Sequence, residues 1–222
     1  MTNPAPTLVS TFEILFTPQL PPGLGPPAVQ AEVENVVKGY FLTIANPNAT
    51  AYVFTLGFHC NPTPGSPANR TLASAVGFLD NGAAGAPLAI SAGATANDFF
   101  TSVSVPAEGT VLVAVLPAFF NPNGLAAPTI EVRGWVDITL PALSRGRRPF
   151  VTFGTVAQAA APVGVLLTPE QRLTFLPTAG DAPTAVEAQA AFALPLAKGV
   201  GEVFVPPQPG GLIVFEPLRE GV

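Results

Sequence analysis

Proline punctuates this chain from end to end: 27 prolines are spread over 222 residues, together with 21 glycines. Inside a helix a proline removes a hydrogen bond and clashes with the preceding turn, and it is excluded from central strand positions. The chain is therefore expected to be built from short strands and many loops. Phe and the β-branched residues are plentiful, so the composition is not that of a disordered segment.

Between the prolines the side chains alternate with period two, the signature of half-buried strands. Phe12, Ile14 and Phe16 share one face of Thr11–Thr17. Tyr40, Leu42 and Ile44 share one face of Lys38–Ala45, and Phe54, Leu56, Phe58 and Cys60 share one face of Tyr52–Cys60. Asn46-Pro47-Asn48 has turn chemistry, so these last two segments read as adjacent strands. Leu72–Leu79 and Pro87–Ser91 read as further strands. Asp98–Val105 and Thr110–Leu116 read as a hairpin across Pro106-Ala107-Glu108-Gly109. In Thr129–Leu140, Ile130, Val132, Val136, Ile138 and Leu140 point inward; Glu131, Arg133, Trp135, Asp137 and Thr139 point outward.

These segments predict an all-β fold, an antiparallel β-sandwich of jelly-roll or immunoglobulin-like type. The expected organisation is a Pro-rich N-terminal arm over 1–10, a sandwich over 11–140, and a β-rich C-terminal segment over 141–222. That last segment packs on the sandwich or on a neighbouring subunit. Thr168-Pro169-Glu170-Gln171 matches a helix start, with Thr as cap and Pro in the first turn. Ala185–Leu194 is ambiguous: alanine favours helix, while Val186, Ala188, Ala190, Phe192 and Leu194 alternate like a strand.

The common catalytic constellations fail by counting. The chain has one His and one Cys, and they are neighbours, His59 and Cys60. Adjacent side chains on a strand point to opposite faces, so the two cannot act as nucleophile and base or share a metal. No G-x-S-x-G elbow and no phosphate-binding loop occurs. An enzyme here would need carboxylate chemistry alone, with a pair such as Glu131 and Asp137 flanking a cleft. No enzymatic activity and no cofactor are expected.

Charge is the remaining constraint. Only 10% of residues are charged, against about 25% in an ordinary soluble domain, and the net charge is −5. The acidic balance argues against nucleic-acid binding through phosphates. The longest apolar run, Val111–Phe120, is too short for a membrane span and contains Pro117. A surface so poor in charge is expected either to be largely apolar or neutral-polar, or to be buried against other subunits. The reading that follows is a structural, self-assembling subunit of a filament, appendage, shell or coat, with copies of itself as partners. The alternative is a non-catalytic module that binds an apolar ligand or hydrophobic surface, with the sixteen Phe lining a cavity. The candidate inter-subunit contacts are the outward row Glu131, Arg133 and Trp135 and the basic cluster Arg145, Arg147 and Arg148. The N-terminus lacks the basic and apolar regions of a classical signal peptide. The location is left open, with a cell-surface, extracellular or particle-assembled setting favoured.

Overall fold

The computed structural model describes residues 3–18, 26, 35–60, 71–82, 85–118, 130–144, 153–176, 188–199 and 201–213. The expected basic cluster Arg145, Arg147 and Arg148 lies outside these residues. Fifteen strands are present among them, with a single short 3₁₀ turn at Leu72–Ser74. In chain order they are β1 (Thr7–Pro18), β2 (Asn35–Asn46), β3 (Tyr52–Cys60), β4 (Ala75–Asp80), β5 (Ala86–Leu88) and β6 (Ser91–Ala92). Then come β7 (Asp98–Val105), β8 (Gly109–Pro117), β9 (Ile130–Thr139), β10 (Leu143–Ser144) and β11 (Phe153–Val156). The last four are β12 (Val163–Leu176), β13 (Ala188–Ala193), β14 (Glu202–Val205) and β15 (Leu212–Ile213). No helix among the described residues is long and apolar enough to cross a membrane.

The strand pairings are antiparallel, and most strands join one curled sheet in the order β5-β4-β8-β2-β1-β9-β3-β7-β6. The curl begins at β2. One edge of β2 pairs with β12 along Asn35–Ala45. The other edge is divided: Asn35–Lys38 pairs with β1, and Tyr40–Asn46 pairs with β8. β1 pairs with β2 only over Leu15–Pro18, while its other edge pairs with β9 over Thr7–Phe16. The sheet thus has two wings that meet at the β1–β2 seam. Gln171 of β12 bridges this seam, its Nε2 donating to the carbonyls of Glu13 (2.6 Å) and Gly39 (2.9 Å). This buried amide ties β12 to the backbone of both β1 and β2 at the seam.

Two pairings expected from the sequence do not occur. β2 does not pair with β3, and β7 does not pair with β8: β3 and β7 pair with each other in one wing, while β2 and β8 pair in the other. Both connections are corners that pass from wing to wing. The buried Asn46 explains why. Its Nδ2 donates to the carbonyls of Thr50 (2.8 Å) and Pro106 (2.9 Å), and Glu108 N donates to Asn48 O (3.0 Å). The two loops are tied to each other, so neither closes a hairpin of its own.

The core lies on the inner face of the curl. The alternating residues named above are buried there: Phe12, Ile14, Phe16, Tyr40, Leu42, Ile44, Phe54, Leu56, Phe58, Val132, Val136 and Ile138. Phe12, Tyr40 and Phe58 come from three strands and meet edge-on or tilted, with ring centroids 5.7–6.1 Å apart. The Tyr40 hydroxyl shares a buried 3.0 Å hydrogen bond with Ser10 Oγ, and burial pushes its ionisation well above the ordinary range.

The remaining local readings divide. Residues 7–10, expected in the arm, form the start of β1, with Val9 and Ser10 buried. Leu72–Ser74 turn before β4 begins, and Pro87–Ser91 is split between β5 and β6. The helix start expected at Thr168 is absent: Thr168–Gln171 runs straight through β12. Pro169 is tolerated because of where it falls. Leu167 N donates to Gly201 O at one edge of β12, and the nitrogen of residue 169 faces that same edge. There the β14 register has ended at Leu166 and the β13 register starts at Glu170, so no ladder donor is required. Ala188–Ala193 resolves as strand. Among the described residues of 141–222, β12 pairs with β2 in the main sheet, and β10, β11 and β15 form a small three-stranded sheet.

Candidate functional site

The outer face of β9 carries the expected row, and the register shows what surrounds it. Glu131, Arg133 and Trp135 stand opposite Leu15, Glu13 and Thr11 of β1. On the other side Trp135 stands opposite His59 of β3. Glu13 gathers the charges: Arg133 Nε donates to it at 2.6 Å, and Lys38 of β2 pairs with its other oxygen. Arg133 also holds Glu131 at 2.7 Å. Burial alone would raise the Glu13 carboxyl, but the bonds from Lys38 and Arg133 outweigh it and hold it below the ordinary carboxylate range.

Beside this ion cluster the surface turns apolar. A groove of about 710 Å³ is lined by Phe12, Glu13, Lys38, Arg133, Trp135 and Phe192, among others. A second groove of about 360 Å³ adjoins it, sharing Thr11 and Trp135 and adding Leu8 and Leu196. The far wall of both is the segment from β13 to residue 197, which is anchored where Ala197 N donates to Val9 O at 2.7 Å. Leu8, Trp135 and Phe192 remain 50%, 43% and 56% exposed along this strip. The C-terminal segment thus flanks Trp135 without covering it.

The feature that sequence reading missed lies next to Trp135. His59 is held on both ring nitrogens: Nδ1 by Asp98 (2.9 Å) and Nε2 by Asp137 (2.7 Å). Its ring stacks on Trp135 with centroids 5.1 Å apart and planes 18° from parallel. Asp98 is opposite His59 on β7, whereas Asp137 is opposite Gly57. Asp137 reaches the imidazole across the bare Gly57, where a Cβ would lie 2.5 Å from Asp137 Oδ1. Asp137 points to the outer side, as expected, but it is buried beneath this contact. Glu131 and Asp137, six residues apart on one strand, stand about 20 Å apart, too far for the carboxylate pair considered above.

Burial would pull the His59 ionisation down, but the bonds to Asp98 and Asp137 outweigh it and raise it above the ordinary imidazole value of 6.5. Thr95, and then His59, hold Asp98 below its ordinary value. With a carboxylate on each ring nitrogen, the imidazole is held as a clamp between β7 and β9. Cys60, on the opposite face, is buried in the core, and burial pushes its thiol up to about 11. The thiol is therefore inert at neutral pH. Among the described residues no group of three or more His, Cys, Asp and Glu side chains is placed to hold a metal ion.

The clamp makes stability depend on pH with a defined sign. A raised folded value means that the His59 contribution is complete below about pH 6.5 and is lost as pH rises through the folded value. The urea midpoint is expected to fall between about pH 6 and about pH 9, and the fall should be absent in His59→Gln. Equal falls in the two proteins would remove His59 as the cause. Asp98 and Glu13, both lowered, add stability above their ordinary values and lose it in acid.

No protein-family model, no curated protein and no solved structure matches this chain.

Proposed function

We propose that this protein is a non-enzymatic structural subunit that assembles with copies of itself through the outer face of β1 and β9. The observation that carries the reading is the strip Leu8, Trp135 and Phe192, three large apolar side chains exposed along two adjoining grooves. Scattered exposed hydrophobics are normal, whereas a continuous strip beside a charged rim has the anatomy of an interface. The scarcity of charge favours a buried outer surface, and Trp and Arg side by side are the residue types that dominate binding energy at contacts. We read the curled sheet as a sandwich of jelly-roll or immunoglobulin-like type. In that reading the particle is a filament, appendage, shell or coat, at the cell surface or outside it.

A second reading is favoured by the larger groove itself. Its volume suits a small apolar ligand, with the Glu13, Lys38 and Arg133 cluster fixing one end. Light scattering separates the two. The assembly reading expects particles well above 22.7 kDa, and it expects Leu8→Glu with Phe192→Glu to return them to monomer without loss of folding. A wild-type protein that stays monomeric at high concentration, with a groove that takes up an apolar dye, would replace the first reading with the second.

A further inference from the structure

We infer that His59 is a proton-operated latch that fixes Trp135 on the outer face when protonated and releases it when neutral. The inference rests on the assembly reading only for its consequence, because the latch itself is a local arrangement of four side chains.

A protonated imidazole has two donors, and each meets a carboxylate here. A neutral imidazole has one donor and one lone pair. That lone pair would face a carboxylate oxygen at hydrogen-bond distance, which is repulsive, so one of the two contacts must open. Exposure decides which. The Asp137 side chain is 10% exposed and the Asp98 side chain 38%. Asp98 also has the Thr95 hydroxyl at 2.7 Å and water within reach. Asp137 keeps the single donor, and Asp98 lets go.

Two consequences follow. The Thr95–Asp98 turn loses its side-chain tie to β3 and keeps only backbone bonds, among them Cys60 N to Asn97 O at 2.8 Å. Trp135 loses the cation on its ring face, an attraction that is strongest where the pair is partly desolvated. Among the described residues, the groups facing His59 are Asp98 from β7, Asp137 and Trp135 from β9, and the Thr95–Asn97 turn. The next charges along the face, Arg133, Glu131, Glu13 and Lys38, bond to one another. A pinned Trp135 is a preorganised anchor, and preorganisation lowers the entropy lost on association. Assembly through this face is therefore stronger below the latch midpoint than above it.

Trp135 is the chain's one tryptophan, so its emission reports the latch directly. Emission of the full-length protein is expected to rise with pH in a single titration, because a stacked imidazolium quenches an indole and a neutral ring does not. The midpoint should lie above the ordinary imidazole value of 6.5. The titration should vanish in His59→Gln and shift to lower pH in Asp98→Asn, which removes one of the two charges on the ring. Emission that is flat with pH, or that titrates equally in His59→Gln, overturns the latch whatever the assembly state. A titrating emission with pH-independent particles overturns the regulation and leaves assembly standing. Monomer at every pH with a titrating emission removes the assembly reading and leaves the latch.

Discussion

Gly134→Ala is expected to destabilise the protein by about 3 kcal/mol, at the upper end of the usual range for overpacking. Gly134 sits in the middle of β9, opposite Phe12 of β1 and Cys60 of β3. A Cβ built there would fall inside the van der Waals shell of the His59 carbonyl oxygen, with the His59 carbonyl carbon at 2.9 Å and Phe12 Cε1 at 3.0 Å. The first two are backbone atoms of a paired strand and cannot rotate away. The third belongs to the aromatic cluster of the core. Relief requires β9 and β3 to separate, which breaks ladder bonds on one face and the His59 clamp on the other. For a chain of this size the loss corresponds to a fall in Tm of roughly 6–12 °C. Gly201→Ala is the control, because nothing lies within 4 Å of its Cβ, and it should stay within about 0.5 kcal/mol of wild type. A urea midpoint for Gly134→Ala equal to that of Gly201→Ala would mean that β9 and β3 are not held at this distance.

Gly134 also shows what could be read from the chain and what could not. Its place in the inward alternation between Val132 and Val136 was legible, because period two is a property of neighbours in sequence. The strands themselves were legible for the same reason, as was the opposition of His59 and Cys60. The partners were not. β3 lies between β7 and β9, and β2 lies against β12. Proximity in sequence suggested β2–β3 and β7–β8 instead. The deciding chemistry was Asn46, whose amide joins residues 50 and 106 and so turns both connections into corners. The capping pattern at Thr168 failed because the β2 edge offered that segment a full ladder, and a strand partner outweighs a local cap.

The site divides along the same line. Glu131, Arg133 and Trp135 share one face by alternation alone, and that was readable. Glu13 and Lys38, which complete the ion cluster, lie on other strands. The latch needed two registers at once, placing Asp98 and Asp137 on either side of His59 from 39 and 78 residues away. One signal was available in the chain: on the outer face of β3 a Gly at position 57 stands one step from a lone His. Such a gap makes room for a side chain from the neighbouring strand.

Phe58→Ala is expected to cost about 3–5 kcal/mol, the range for removing a large buried aromatic. Phe58 is fully buried and meets Phe12 at 5.7 Å and Tyr40 at 6.1 Å, both close to perpendicular. β3 and β2 share no ladder, so the Phe58–Tyr40 contact passes through the interior from one wing of the sheet to the other. That makes the substitution a test of the curl as well as of packing. If the wings close over one core, the cavity left by the ring cannot collapse without moving both, and the cost stays high. If the wings were splayed, water would enter and the cost would drop to about 1.5 kcal/mol or less, as at a half-exposed site. Phe58→Leu should recover most of the loss, because a smaller volume change leaves a smaller cavity. The near-ultraviolet dichroism of Tyr40 should weaken in Phe58→Ala while the far-ultraviolet strand signal persists. Phe58 lies one residue before His59, on the opposite face of the same strand. A softened core should therefore also broaden the Trp135 emission titration, whereas unchanged emission would show that the outer face is held by its own registers alone.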